Sequence, residues 1–245
     1  MKFFLFLAFV LLNGLAHAQV SNPEFDAIAK KYEKGKYESA LESADALIDN
    51  DKHRKKPEPY LWASMCNYAI HTSDDEKLKE RFKGALRDAL KYAGKAVSKD
   101  KSGDIVQDNQ EYFDLMKKEG IAYAKEYEAE ENYRKASYTY KQILDFAPND
   151  AYIQFVKGVT DIRLSSLYEA EREIRASFPI LEEYYRDIDY KPDPISSPVL
   201  KEAVVYYIDH LVQNSYLDSA KKVTLSARVF FPLDEEIKLK MENLK

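Results

Sequence analysis

Cysteine is almost absent from this chain of 245 residues: Cys66 stands alone, so no disulfide can form within the chain and small disulfide-built folds are excluded. Glycine (7) and proline (9) are scarce, which removes collagen-like and low-complexity architectures. Long runs of Val and Ile, needed by a buried parallel sheet, are missing, while 32% of the residues are charged. That balance predicts many helices joined by short connections. Basic residues are not in excess: 37 against 42 acids give a formal charge of −5, without the electrostatic footprint of a general nucleic-acid binder. The chain also lacks H-E-x-x-H, paired C-x-x-C, a phosphate-cradling Gly loop and a dinucleotide fingerprint. Of the four histidines, His17, His53, His71 and His210, none has a second ligand at metal spacing. Asp187, Asp189 and Asp193 suggest calcium, but the turn glycine is missing and Pro198 falls where the bidentate acid belongs. The expectation is therefore no enzyme, no cofactor and no metal.

Only one unbroken apolar run occurs. Lys2 gives a positive start, Phe3 to Leu12 is apolar throughout, and Ala16-His17-Ala18 supplies a small-x-small site. This is the pattern of a secretory signal peptide over 1–18, with the mature chain beginning at Gln19. Ten apolar residues fall short of the roughly 20 that a spanning helix needs, so no integral membrane segment is expected after cleavage. The mature chain would carry 36 basic and 42 acidic groups, a formal charge of −6. Its expected location is outside the cytoplasm: periplasmic in a Gram-negative bacterium, secreted otherwise.

What the chain has is a repeat. Ala124, Tyr133, Ala136 and Tyr140 are followed 34 residues later by Gly158, Leu167, Ala170 and Ile174, and Pro148 closes the first of these units. Small residues facing each other let two helices approach closely, and the larger Tyr127, Tyr133 and Tyr140 fill the groove beside them. Pro148 ends a helix, and Asn149 and Asp150 can cap the next. Weaker copies place Gly35, Tyr37 and Ala40 near the start, and Leu217, Ala220, Ala227 and Pro232 near the end. Between the first copy and the strong pair lie a helix carrying Trp62, Met65, Cys66 and Ala69 and a long second helix carrying Phe82 to Ala93, a unit that departs from the pattern in having no turn-marking Gly. From Ala170 to Ala220 is 50 residues, 16 beyond the period, which marks an insert at about 179–198 holding four prolines. No helix should pass its second half. After Pro232, Leu233, Ile237, Met241 and Leu244 trace a short amphipathic cap.

These residues resemble the tetratricopeptide repeat family, in an exported bacterial form. The resemblance implies an all-α, superhelical solenoid of about five helix pairs with a C-terminal capping helix, one domain over 19–245. It also implies a non-catalytic scaffold that holds a peptide or folded protein partner of a cell-envelope complex on a concave surface made by the first helices. On that reading the partner-binding candidates are Tyr32, Tyr60, Asn67, His71, Lys125, Tyr152, Phe155 and Arg163, with Phe25, Asp209 and Val212 on the same faces. The clamp by which chaperone-binding members hold a C-terminal carboxylate is not matched: Asn67 is present, but Ala63 stands where that clamp has Lys.

Each candidate has a plainer counterpart. Phe155 either faces a partner or packs under the neighbouring repeat. Tyr184, Tyr185 and Tyr190, in the insert, either meet a partner or staple the insert to the stack. Cys66 reads as a buried thiol, and Lys52 to Lys56 as a solvated basic connection rather than a phosphate or lipid contact. The alternative function is an extracytoplasmic carbohydrate-binding module, because tyrosine is a good sugar platform.

Overall fold

The computed structural model describes residues 23–244, and the signal-peptide assignment lies outside them. Among the described residues the chain is all-helical, with thirteen α-helices, a 3-10 turn at Pro23–Phe25 and no strand. Two compact units can be distinguished. One holds the described residues up to Gly120 with Asp145–Pro148, and the other holds Ile121–Leu144 with Asn149 onward.

The first unit contains α1 (Asp26–Glu33), α2 (Tyr37–Ile48), α3 (Glu58–His71), α4 (Glu76–Arg81), α5 (Ala85–Lys99), α6 (Asp104–Asp108) and the start of α7 (Gln110–Ala129). Its centre is α3, apolar on every side and buried from Pro59 to Ile70, packed between α2 and α5. The single long helix expected after α3 is broken into α4 and α5 at Phe82–Gly84. Asp75 starts α4 by accepting the amides of Lys77 and Leu78, and Gly84, a poor helix former, is the N-cap of α5.

The second unit continues with α8 (Tyr133–Leu144), α9 (Ala151–Arg163), α10 (Leu167–Arg186), α11 (Ser197–Gln213), α12 (Leu217–Phe230) and α13 (Glu235–Asn243). Helix α9 packs on α8, α10 and α11, while α12 packs on α10, α11 and α13. Asp150 and Asp234 cap α9 and α13 by accepting the amides of Ile153 and Ile237 at 3.0 and 3.1 Å.

Four turns in the two units share one backbone conformation. Gly35, Glu131, Ser165 and Ser215 have φ of +70°, +56°, +62° and +63°. The residue after each donates its amide to the carbonyl five positions back along the chain, Lys36 to Lys31, Asn132 to Tyr127, Ser166 to Asp161 and Tyr216 to Leu211, at 2.7 to 3.0 Å. This is the left-handed termination that leaves a helix end hydrogen-bonded. Five residues beyond each turn stands a buried alanine, Ala40, Ala136, Ala170 or Ala220. Close approach also requires Gly158, where a Cβ would lie 2.8 Å from Ile174 Cγ1 and 3.2 Å from the Ala170 carbonyl oxygen.

Two expectations need correction. Helix α10 runs through Pro179 instead of stopping at an insert, because Phe178 and Leu181 on either side are buried and hold the turn despite the missing donor. Only residues 187–196 are non-helical. In α13, Ile237 is fully buried, but Leu233 is 92% exposed and contributes nothing to the cap.

Candidate functional site

Helices α9, α11 and α13 of the second unit line one groove of about 430 Å³. Helix α11 supplies Lys201, Glu202, Val205, Tyr206 and Asp209, spaced so that a helix presents them as one stripe. Glu236 of α13 closes one side, and Arg163, in the last turn of α9, closes another. A cation at a helix C-terminus sits favourably against the macrodipole.

Arg163 is held by rings. Its guanidinium carbon lies 4.2 Å from the Tyr206 ring centroid and 5.6 Å from that of Tyr133. Its Nε is buried with no hydrogen-bond partner among the described residues. Beneath it, a void of about 10 Å³ lined by Tyr140, Glu128 and Thr160 has room for one water molecule. Tyr140 is wholly buried, and that burial pushes its phenol pKa upward.

The groove's carboxylates are all engaged by lysines. Lys125 pairs with Glu202 and, at 3.0 Å, with Glu128; Lys240 meets Asp209 at 2.5 Å; Lys201 meets Asp234 at 2.6 Å and Glu236 at 3.8 Å. Hydrogen bonding to Lys201 holds the Asp234 carboxyl below its ordinary pKa and raises that of Lys201. Partial burial lowers the pKa of Lys125, but the hydrogen bonds it donates to Glu202 and Glu128, and their charges, outweigh it and raise the pKa.

Of the residues proposed from sequence, Lys125 and Arg163 come together here. Others are withdrawn from any partner. Tyr60 is buried and donates to the Arg54 carbonyl at 2.9 Å, and Asn67 is buried with its amide on the Ala63 carbonyl of its own helix. Phe155 is fully buried between the rings of Phe178 (5.6 Å) and Tyr207 (5.9 Å). Tyr152 is 3% exposed. The reason is that α9 is packed by α8, α10 and α11 together, which leaves only Gln154 and Arg163 of its thirteen residues outside the core. Tyr32 is half-buried against Tyr37 and Trp62, and His71 is exposed at the end of α3.

The tyrosines of residues 184–190 form the staple. Tyr190 stacks on Tyr184 at 4.9 Å, its hydroxyl is 2.7 Å from that of Tyr152, and Tyr185 lies 4.6 Å from Phe230. Asp187 and Asp193 close local turns by accepting the amides of Asp189 and Ile195. The basic connection is partly tied down: Lys52 and Lys56 pair with Glu24, and buried His53 packs edge-on against Phe25. Cys66 is buried, which raises its thiol pKa. No group of three or more His, Cys, Asp or Glu able to hold a metal occurs among the described residues.

Sequence reasoning missed Lys201, Glu202, Tyr206 and Glu236. The available signal was the five-residue stripe along α11, which starts one turn before the segment that matched the repeat. No protein-family model, curated protein or solved structure matches the chain.

Proposed function

We propose that the chain is an exported, non-catalytic interaction scaffold of the cell envelope, a tetratricopeptide-like stack of helix pairs that holds a protein partner in the groove lined by α9, α11 and α13. The observation that carries this reading is the shared turn at Gly35, Glu131, Ser165 and Ser215, each followed five residues later by a buried alanine. One backbone device repeated four times is what a repeat architecture built from helix pairs requires. The groove lies where first helices present side chains in common, and its mixture of aromatic, aliphatic and paired charged groups suits a protein surface. The insert tyrosines stack on one another and on Phe230, so their faces are spoken for as sugar platforms.

The test is purification of the tagged mature protein from its native envelope, beside a Val205→Arg variant that crowds the groove without touching the core. The wild type should retain a protein partner, and the variant should release it with its helical circular dichroism unchanged. A partner that stays bound to the variant removes the groove from the reading. A glycan retained in place of a protein would favour the carbohydrate alternative.

A further inference from the structure

We infer that Arg163 is the specificity-determining residue of the groove, and that it receives the side-chain carboxylate of an internal Asp or Glu in an extended partner segment. The inference rests on the groove being the binding surface and names what is bound there.

Arg163 differs from every other cation of the groove. Lys125, Lys201 and Lys240 each engage a carboxylate, and each groove acid, Glu202, Asp209 and Glu236, has its lysine. Arg163 lines the groove with ring contacts alone, and no acceptor meets it among the described residues. A planar guanidinium seated on a ring is already oriented, so less freedom is lost when its N–H groups close on a planar, bidentate acceptor. One free cation matches one carboxylate. A doubly charged phosphate is disfavoured because it would also face Glu202, Asp209 and Glu236.

The rest of the groove fits an extended chain. From Lys201 to Asp209 the stripe is about 12 Å long, the reach of three to four extended residues. Val205, within that stripe, offers an apolar contact beside the charge. The expected motif is an acidic residue flanked by aliphatic ones. Because the surrounding charges are already paired, its binding should depend only weakly on salt, unlike attraction to a general charged patch.

The probe is acetyl-Ala-Leu-Glu-Leu-Ala-amide, with the same peptide carrying Gln for Glu, titrated into isotope-labelled mature protein and followed by NMR. Both peptides lack a free C-terminal carboxylate. The Glu peptide should perturb the end of α9 and the Lys201 to Asp209 stripe and bind at least about tenfold more tightly than the Gln peptide. Arg163→Lys, which keeps the charge but loses the fork, should cost about tenfold with an otherwise unchanged spectrum, and Tyr206→Leu should weaken the Glu peptide selectively. The inference is overturned if neither peptide binds, if both bind alike, or if Arg163→Lys binds as the wild type does. If a native partner is displaced by Val205→Arg while the two peptides behave alike, this inference fails and the scaffold reading survives.

Discussion

At the scale of single residues, three of the four shared turns carry a left-handed conformation without glycine. A side chain in that region costs about 1 to 2 kcal/mol, and glycine removes the cost. Ser165→Gly and Glu131→Gly should therefore raise stability by about 0.5 to 1 kcal/mol, and Gly35→Ala should lower it by about 1 kcal/mol. Urea midpoints measure all three, and a loss in both glycine variants would mean that the native side chains hold the turns. Gly158→Ala places a Cβ 2.8 Å from Ile174 Cγ1 and should cost about 1 to 3 kcal/mol, whereas Glu130→Ala, at an exposed position, should cost almost nothing. Glu24 adds a pH dependence. Hydrogen bonds from Lys56 and Lys52 hold its carboxyl pKa at about 2, against an ordinary value of 4.5. A depressed acid contributes fully above its unfolded pKa and loses that contribution as pH falls through the folded one. The protection of the amides in residues 52–56, relative to intrinsic exchange at each pH, should fall from about pH 4.5 down to pH 2, and Glu24→Gln should abolish that step.

At the scale of elements, the tyrosine staple and the buried charges of α9 do different work. The non-helical stretch 187–196 is held by Tyr190 against Tyr184 and Tyr152. Tyr190→Ala removes a ring stack and a hydroxyl contact, a loss of about 1 to 1.5 kcal/mol, so trypsin should cut after Arg186, where the helix gives way to this stretch, about tenfold faster. Unchanged cleavage would show that the stretch is held elsewhere. Lys157 lies buried between Asp161 at 2.7 Å and Glu173 at 3.6 Å, with Ser137 also on Asp161 and Gln154 on Glu173. Lys157→Met leaves the buried Asp161 without a cation, while Glu173 keeps Arg172 at 2.7 Å, and should destabilise by about 3 to 5 kcal/mol in a thermal melt near neutral pH, with part of the loss recovered at acid pH.

At the scale of the whole molecule, export is the expectation that reaches furthest from the folded units. The first 18 residues carry the entire apolar run, so the protein isolated from its host should have the mass of a chain beginning at Gln19. A main species that retains Phe3 to Leu12 would overturn the assignment. The all-helical class was legible from composition, and the helix pairs were legible from the alanine spacing around Ala136 and Ala170. The break at Gly84 was not, because one glycine in an otherwise helical pattern does not say whether a helix bends, stops or continues. Pro179 misled in the opposite direction: its cost is local, while the burial of Phe178 and Leu181 that outweighs it comes from other helices.

Sequence alone determined what local physics controls: the helical class, the turn at Gly35 ahead of Ala40, and the capping role of Asp150. Those features depend on residues within one or two turns of each other. Tertiary structure decided which faces are covered. Phe155 and Arg163 share α9, yet one is sealed by Phe178 and Tyr207 and the other reaches a groove built mostly from α11. Helical periodicity distinguishes one face of α9 from another, but it does not reveal that three helices pack there. The seat of Arg163 on Tyr206, 43 residues away in sequence, exists only once α9 and α11 have met.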